Sequence, residues 1–324
     1  MSLGRYPGVS LSDARKVAQD KLALASSGTD PKAALIEQVA ERDLKVSSAL
    51  DQYLNWCVAN NGGKTVKSKT STFKTHLRPT YGSLPLSELT RRRIANLIDG
   101  LSDKPATRRQ LYLYTSHFLS WSMARDLIDS NPIYGLQAPK PVGTRERVLT
   151  DTEIKSLWGA SGTMATIAKL CLLTAQRKGS VEAMRWDEID FDRKTWTVPA
   201  TSMKSNKLHV VPLSANALAI LRDWHQLDGP YLFGVGSNGE KPFAGTSKSM
   251  KRLRAELSDA DWRLHDLRRT AVTLAQRQGC SLDSIRALTQ HKTAGVIGIY
   301  ARHGFEHEKL AVAEAIASGI DAII

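Results

Sequence analysis

Six side chains in the second half of the sequence could together act on a phosphate: Arg177, Lys204, His265, Arg268, His291 and Tyr300. His265 and Arg268 stand three apart in Leu264-His265-Asp266-Leu267-Arg268-Arg269-Thr270, and on a helix that spacing presents an imidazole and a guanidinium to one point. Two guanidiniums can hold nonbridging phosphate oxygens bidentately and stabilise charge building on phosphorus. Metal-free cleavage of a phosphodiester further needs an in-line nucleophile and a proton donor for the leaving 5'-oxygen. A tyrosine hydroxyl, with an ordinary pKa of about 10, attacks only when cations and a proton acceptor draw off its proton. The resulting phosphotyrosyl ester keeps the energy of the broken bond, so the hydroxyl of another strand can displace it without ATP. No acidic cluster suited to magnesium, no HExxH and no GxSxG occurs. The inventory is cationic plus one phenol, and it calls for no metal and no cofactor.

Taken singly, each residue has an ordinary alternative. Arg177 at a helix end suits a dipole or carboxylate partner, Lys204 a solvated turn, His265 and His291 structural roles, and Tyr300 a core aromatic with its hydroxyl at the surface. Their joint order shifts the balance towards chemistry.

The elements that must position them begin with composition. The chain has 324 residues, 42% of them apolar, and a formal net charge of +13. That length predicts two domains, and the charge points to a polyanionic partner, although ribosomal, RNA-binding and lipid-surface proteins share such a balance. No window reaches the roughly 18 unbroken apolar residues of a membrane span. Cys57, Cys171 and Cys280 are odd in number and form no CxxC or Cys/His cluster, as expected of a reducing cytoplasm without disulfides or structural zinc. No signal pattern opens the chain.

Residues 1–44 read as a turn or strand remnant, a helix from Leu11 to about Leu24 and a charged helix from Lys32, serving as a linker or as a first helical layer. From 45 to 133 the pattern is helical. Leu50, Tyr53, Leu54 and Cys57 share one face, and Leu111, Tyr114, Phe118 and Trp121 form a stripe best read as packing. A second helix, from about Val66 to Leu77, is flanked and crossed by Lys64, Lys67, Lys69 and Lys74. Thr90 can cap a third, whose first turn is Arg91-Arg92-Arg93, and Arg108 and Arg109 stand near the start of a fourth that Pro105 opens. Three cations sit badly at the positive end of a helix dipole, and an incoming phosphate would relieve them. These nine cations are the expected set facing a polyanion, with a solvated face as the alternative. Residues 134–148, rich in proline and charge, predict an interdomain linker.

The second domain, 149–324, starts with the capping box Thr150-x-x-Glu153, followed by an almost wholly apolar helix from Met164 to Ala175 that ends beside Gln176-Arg177. Strand signals cover Trp186 to Phe191, Lys194 to Pro199 and His209 to Leu213, with Lys204 in the turn between the last two. Gly234 to Gly239 is a turn, since it lacks the Gly-Lys-Ser/Thr of a phosphate loop. Helices over about 245–257, 266–278, 281–288 and 306–318 complete a mainly α fold with a small antiparallel sheet. In the last of them Leu310, Val312, Ala313, Ile316 and Ile320 predict docking on a neighbouring copy.

At these residues the sequence resembles the tyrosine recombinases, the phage-integrase family. Leu172-Leu173-Thr174-Ala175-Gln176-Arg177 resembles the motif of the first catalytic arginine, and Ser202-Met203-Lys204 before His209-Val210-Val211-Pro212-Leu213 the hairpin that presents the lysine. His265-Asp266-Leu267-Arg268 matches the His-x-x-Arg box, Leu288-Thr289-Gln290-His291 the Leu-Gly-His box, and Tyr300 the nucleophile. The resemblance implies that Arg177 and Arg268 clamp the scissile phosphate, Lys204 protonates the 5'-oxygen, His265 assists proton movement and His291 hydrogen-bonds the phosphate. Tyr300 then forms a 3'-phosphotyrosyl link. It further implies an all-α core-binding domain over 45–133, the two domains forming a clamp around double-stranded DNA attachment sites, and a homotetramer in the synaptic complex. DNA-bending and excisionase proteins would be accessory partners, and the setting would be the bacterial cytoplasm, at the nucleoid, with no membrane.

Gly4-Arg5-Tyr6-Pro7 with Ser10 to Arg15 resembles the tail of an arm-binding domain, which implies a missing sheet and weak arm-site binding. Three departures stand out: Ala175 and Thr289-Gln290 where glycine is customary, and Ser180 where an acid commonly buttresses the arginine, a place Glu182 could fill. Two rival readings remain: a type IB topoisomerase, which the separate helical domain and integrase-like N-terminus disfavour, and a DNA-binding regulator with a vestigial site, which the intact six-residue set disfavours.

Overall fold

The computed structural model describes residues 44–143, 145–200, 207–224, 228–257, 261–290 and 305–324, with isolated positions between 15 and 26. Lys204, His291 and Tyr300 lie outside the described residues, as do most of the elements expected before residue 44. The chain divides into two compact units, Met1–Thr144 and Arg145–Ile324.

The described part of the first unit is helical. Helix α1 (Val46–Asn60) buries Leu50, Tyr53 and Cys57, as their spacing predicts. Helix α2 (Gly63–Thr72) does not stop at Leu77; it passes through a π-helical turn, Phe73–Leu77, into the short α3 (Arg78–Tyr81). Pro79 has no N–H to offer the preceding turn, and a widened turn lets the chain continue past it. Helix α4 (Arg91–Asp99) is capped by Thr90, whose side chain accepts from the Arg93 N–H. Helix α5 (Pro105–Met123) buries Leu111, Phe118 and Trp121, and the rings of Phe118 and Trp121 join Tyr53 and Phe73 in an aromatic core. Truncating Phe118 to alanine there should cost about 3–5 kcal/mol.

The ends of the expected linker are held rather than loose. Leu136 and Pro139 offer carbonyls to Tyr112 and Arg109 of the first unit. Arg145 pairs with Asp261 and Asp266 of the second.

The second unit starts at α6 (Asp151–Gly159), where both reciprocal bonds of the Thr150/Glu153 capping box form. Helix α7 (Thr163–Thr174) is buried along its length and is the centre of the core. After the short α8 (Lys178–Glu182), strands β1 (Ile189–Asp190), β2 (Thr195–Val198) and β3 (His209–Pro212) make one antiparallel sheet in the order β1-β2-β3. Trp196 pairs across to Val211, and Val198 to His209. Alternation along β3 turns His209 and Val211 inward while Val210 is half-buried. Then follow α9 (Ala215–Asp223), capped by Ser214, α10 (Thr246–Glu256), α11 (Leu264–Arg277), α12 (Leu282–Thr289) and α13 (Glu306–Asp321).

Helix α13 corrects one expectation. Val312, Ala313, Ile316 and Ile320 are buried against their own unit, where α13 packs on α11, α12 and β3, and Leu310 is half-buried. The apolar face that predicted docking on a second copy is covered in cis.

Candidate active site

Arg268 is the anchor. It sits one turn into α11, is 3% exposed, and has no carboxylate partner among the described residues. Its Nη1 donates to the Ala175 carbonyl at 2.8 Å and its Nη2 to the Thr289 carbonyl. A guanidinium has five N–H donors, so two fixed ones orient the plane and leave others for a ligand. Burial, then the charge of Arg177, lowers its pKa to about 10, so it stays protonated while being repelled by its neighbour.

Arg177 follows directly from the turn that holds Arg268. Helix α7 ends at Thr174, Ala175 adopts a left-handed conformation at φ 53°, and exposed Arg177 caps the start of α8. A left-handed alanine costs about 1–2 kcal/mol, which gives the physical reason that glycine is customary there. The same holds at Gln290, which ends α12 at φ 49°. Glu182 does not stand in for the buttressing acid: its Oε1 accepts from Thr246 Oγ1 at 2.6 Å, and no ion pair to Arg177 forms among the described residues.

His265, at the exposed start of α11, lines a cleft of about 450 Å³ together with Arg268, Arg269, Val272, Thr273, Glu146 and Val148. Partial desolvation, then the charges of Arg269 and Arg268, hold its pKa below the ordinary value, against the pull of Asp266. An imidazole kept neutral in this way suits a proton acceptor at neutral pH. Between the two site residues, Asp266 points inward and is 1% exposed. Its carboxylate accepts from Arg269 Nη1 at 2.9 Å and from the Arg263 N–H at 2.9 Å, and forms an ion pair with Arg145, whose Nε lies 3.1 Å away. Thr270 Oγ1 accepts from the Leu149 N–H, so the entry to this unit and α11 are tied at two points.

Three of the six expected residues are therefore described, and they share one neighbourhood: Arg177 bears on both Arg268 and His265. Sequence reasoning missed Asp266, Gln176 and His209. The signals were present, in an Asp at the third position of a helix, and in polar residues set among apolar neighbours.

The cations of the first unit divide. Lys64, Lys67, Lys74 and Arg92 are exposed. Arg93 turns back to the carboxylate and carbonyl of Glu88, Arg91 to the Pro132 carbonyl, Arg108 to Asp99 and Arg109 to the Pro139 carbonyl. The crowding expected at the start of α4 is thus partly relieved within the chain. Lys69 is a correction: it is 5% exposed, and its Nζ donates to Tyr53 Oη at 2.8 Å, Asn61 Oδ1 at 2.9 Å and Cys57 Sγ at 3.4 Å. Val66, Lys69, Phe73 and Leu77 fall at helical spacing on one side, which is the inward one.

Among the described residues no helix is long and apolar enough to cross a membrane. Residues 147–307 match the Phage integrase family and residues 1–38 an Arm DNA-binding domain. The prophage integrase IntA of Escherichia coli K12 is 28% identical over 306 residues, covering 90% of this chain and 74% of that one. The prophage integrase IntZ of the same strain is 24% identical over 341 residues, covering 100% and 84%. In fold, the chain is similar to lambda integrase as a dimer bound to a COC' core site, at a TM-score of 0.65 and 20% identity over 90% of this chain and 86% of that one. The lambda integrase tetramer bound to a Holliday junction gives 0.65 and 19% identity, covering 94% and 90%. The cationic cleft, the mainly α fold around a small sheet and the family match agree: this chain belongs to the phage integrase family of tyrosine recombinases.

Proposed function

We propose that Arg177 and Arg268 clamp one DNA phosphate while the Tyr300 hydroxyl attacks its phosphorus. The protein is a site-specific DNA recombinase of the prophage-integrating kind. The observation that carries the residue reading is Arg268, buried on two carbonyls, lining the His265 cleft and lying within the field of Arg177. Attack by the tyrosine oxygen forms the 3'-phosphotyrosyl bond as the bond to the 5'-oxygen breaks. His265 helps take the tyrosine proton, Lys204 gives one to the 5'-oxygen, and His291 donates to the phosphate. Return attack by a 5'-hydroxyl, from the same or another strand, reverses the step with no net consumption of protons.

Residues 45–133 act as the core-binding domain and 149–324 as the catalytic one, with 134–148 between them, and residues 1–44 as an arm-binding segment with its linker. Four protomers act at two attachment sites, in the cytoplasm at the nucleoid, with DNA-bending and excisionase partners. The cations left exposed at Lys64, Lys67, Lys74 and Arg92 supply phosphate contacts that make binding strongly salt-dependent.

The test is a duplex carrying the junction between the mobile element and its flanking DNA, nicked beside the cleavage position. Wild-type protein should form a covalent adduct that Tyr300→Phe does not, and should exchange strands between two such sites. An adduct without exchange would favour a topoisomerase, and binding without an adduct a regulator.

A further inference from the structure

The last carbonyls of a helix have no partner within it, and at the end of α12 they are taken by side chains from three other elements. The Leu288 carbonyl accepts from Gln176 Nε2 at 2.8 Å and lies 2.9 Å from His209 Nε2, and the Thr289 carbonyl accepts from Arg268. Gln176 Nε2 also donates to the Thr174 carbonyl at 3.0 Å, so one amide joins the end of α7 to the end of α12. His209 is 3% exposed on β3, the strand that follows the segment containing Lys204. Burial, then the charges of Lys309, Arg268 and Arg177, push its pKa down to about 4, against the bond to Leu288. It is therefore neutral at working pH, and with a carbonyl facing Nε2 the proton resides on that nitrogen.

We infer that His209 is a positioning residue for strand cleavage: with Gln176 it fixes the Leu288 carbonyl, and so the left-handed exit at Gln290 from which the chain proceeds to His291. The inference rests on the reading of His291 as a phosphate ligand. Without the imidazole, the carbonyl keeps one lateral donor instead of two, and β3 loses its polar tie to α12. The carbonyls at the end of α12 then keep the side-chain donors Gln176 and Arg268. Neither His209 nor Gln176 needs to touch DNA for this. A residue that orients a ligand from behind typically changes the reaction rate more than substrate affinity, by about tenfold to a hundredfold.

The experiment measures, on the nicked duplex described above, the single-turnover rate of adduct formation at saturating protein, and separately the affinity for the same duplex. His209→Leu should slow adduct formation by about tenfold or more with affinity within about twofold of wild type. His209→Gln, whose amide nitrogen can reach the same carbonyl, should return the rate to within about threefold of wild type. Cleavage by His209→Leu at the wild-type rate overturns the inference, and so does an equal loss in His209→Gln. If His209→Leu does not fold, Gln176→Met removes the other donor on the carbonyl, and a wild-type rate for it is equally fatal. His291→Ala separates the two levels: if it cleaves like wild type, the reading of His291 itself fails, whereas a slow His291→Ala beside an unaffected His209→Leu sinks the positioning role alone.

Discussion

Each unit buries one cation without a carboxylate among the described residues, and the two cations do opposite things. In the first unit the Lys69 ammonium has three donors and three acceptors, Tyr53, Asn61 and Cys57, all from its own unit. Nothing is left over, and the lysine is a structural tie between α1 and α2. In the second unit Arg268 has five donors, of which two go to the Ala175 and Thr289 carbonyls, and the group still lines a cleft. Both cations depress a histidine nearby: His117 is held down by burial and Lys69, His209 by burial and a set of charges that includes Arg268. A buried charge alone therefore marks no active site. Donors that remain after internal bonding do.

Arg268→Lys should break the second half of this contrast with the largest effect. An ammonium cannot reach two carbonyls and a phosphate together, so adduct formation should fall by about 10²–10³-fold, read on the nicked duplex with a stopped time course. Acid sharpens the comparison next. His209 and an unfolded histidine are both neutral well above about pH 6.5, so the residue adds no pH dependence to stability there. As pH falls from that point towards about 4 the unfolded chain takes the proton first, and stability should drop by up to about 3 kcal/mol, a loss absent in His209→Gln. His117 works in the same direction. Denaturant melts of the two proteins at a series of pH values give the difference directly.

Lys69→Met should cost about 2 kcal/mol by removing the bonds to Tyr53, Asn61 and Cys57, measured by urea unfolding. It should leave the salt dependence of DNA binding as it was. Lys64→Ala and Lys67→Ala should each lower the slope of log affinity against log salt by about one, with little change in stability. A reduced slope in Lys69→Met would place that lysine back among the DNA contacts. The smallest effect belongs to Ala175→Gly, where relief of the left-handed backbone is offset by chain entropy and a lost buried methyl. Its stability should stay within about 1 kcal/mol of wild type, with cleavage unchanged.

What could be read beforehand was local. Thr90, Thr150 and Ser214 announce helix starts because their partners lie within three residues, and His265 with Arg268 needs only one helical turn. What could not be read depends on which ends meet in space. The burial of α13 in its own unit, the bond from Arg91 to the Pro132 carbonyl, and the Leu288 carbonyl shared by Gln176 and His209 all join residues far apart in the chain. Lys69 is the intermediate case: the helical spacing that puts it beside Phe73 was legible, but its charge drew the reading outward. The three remaining expected site residues, Lys204, His291 and Tyr300, lie outside the described residues, and the experiments above are their test.

Arg177 and Arg268 repel one another across the turn at Ala175, and that tension has a practical side. Any small oxyanion that both can share should steady the folded molecule, so sulfate or phosphate ought to raise its melting temperature above that in chloride at matched ionic strength. Purification and storage buffers are then no neutral choice. The salt that keeps this protein intact on the bench is also a competitor for its substrate.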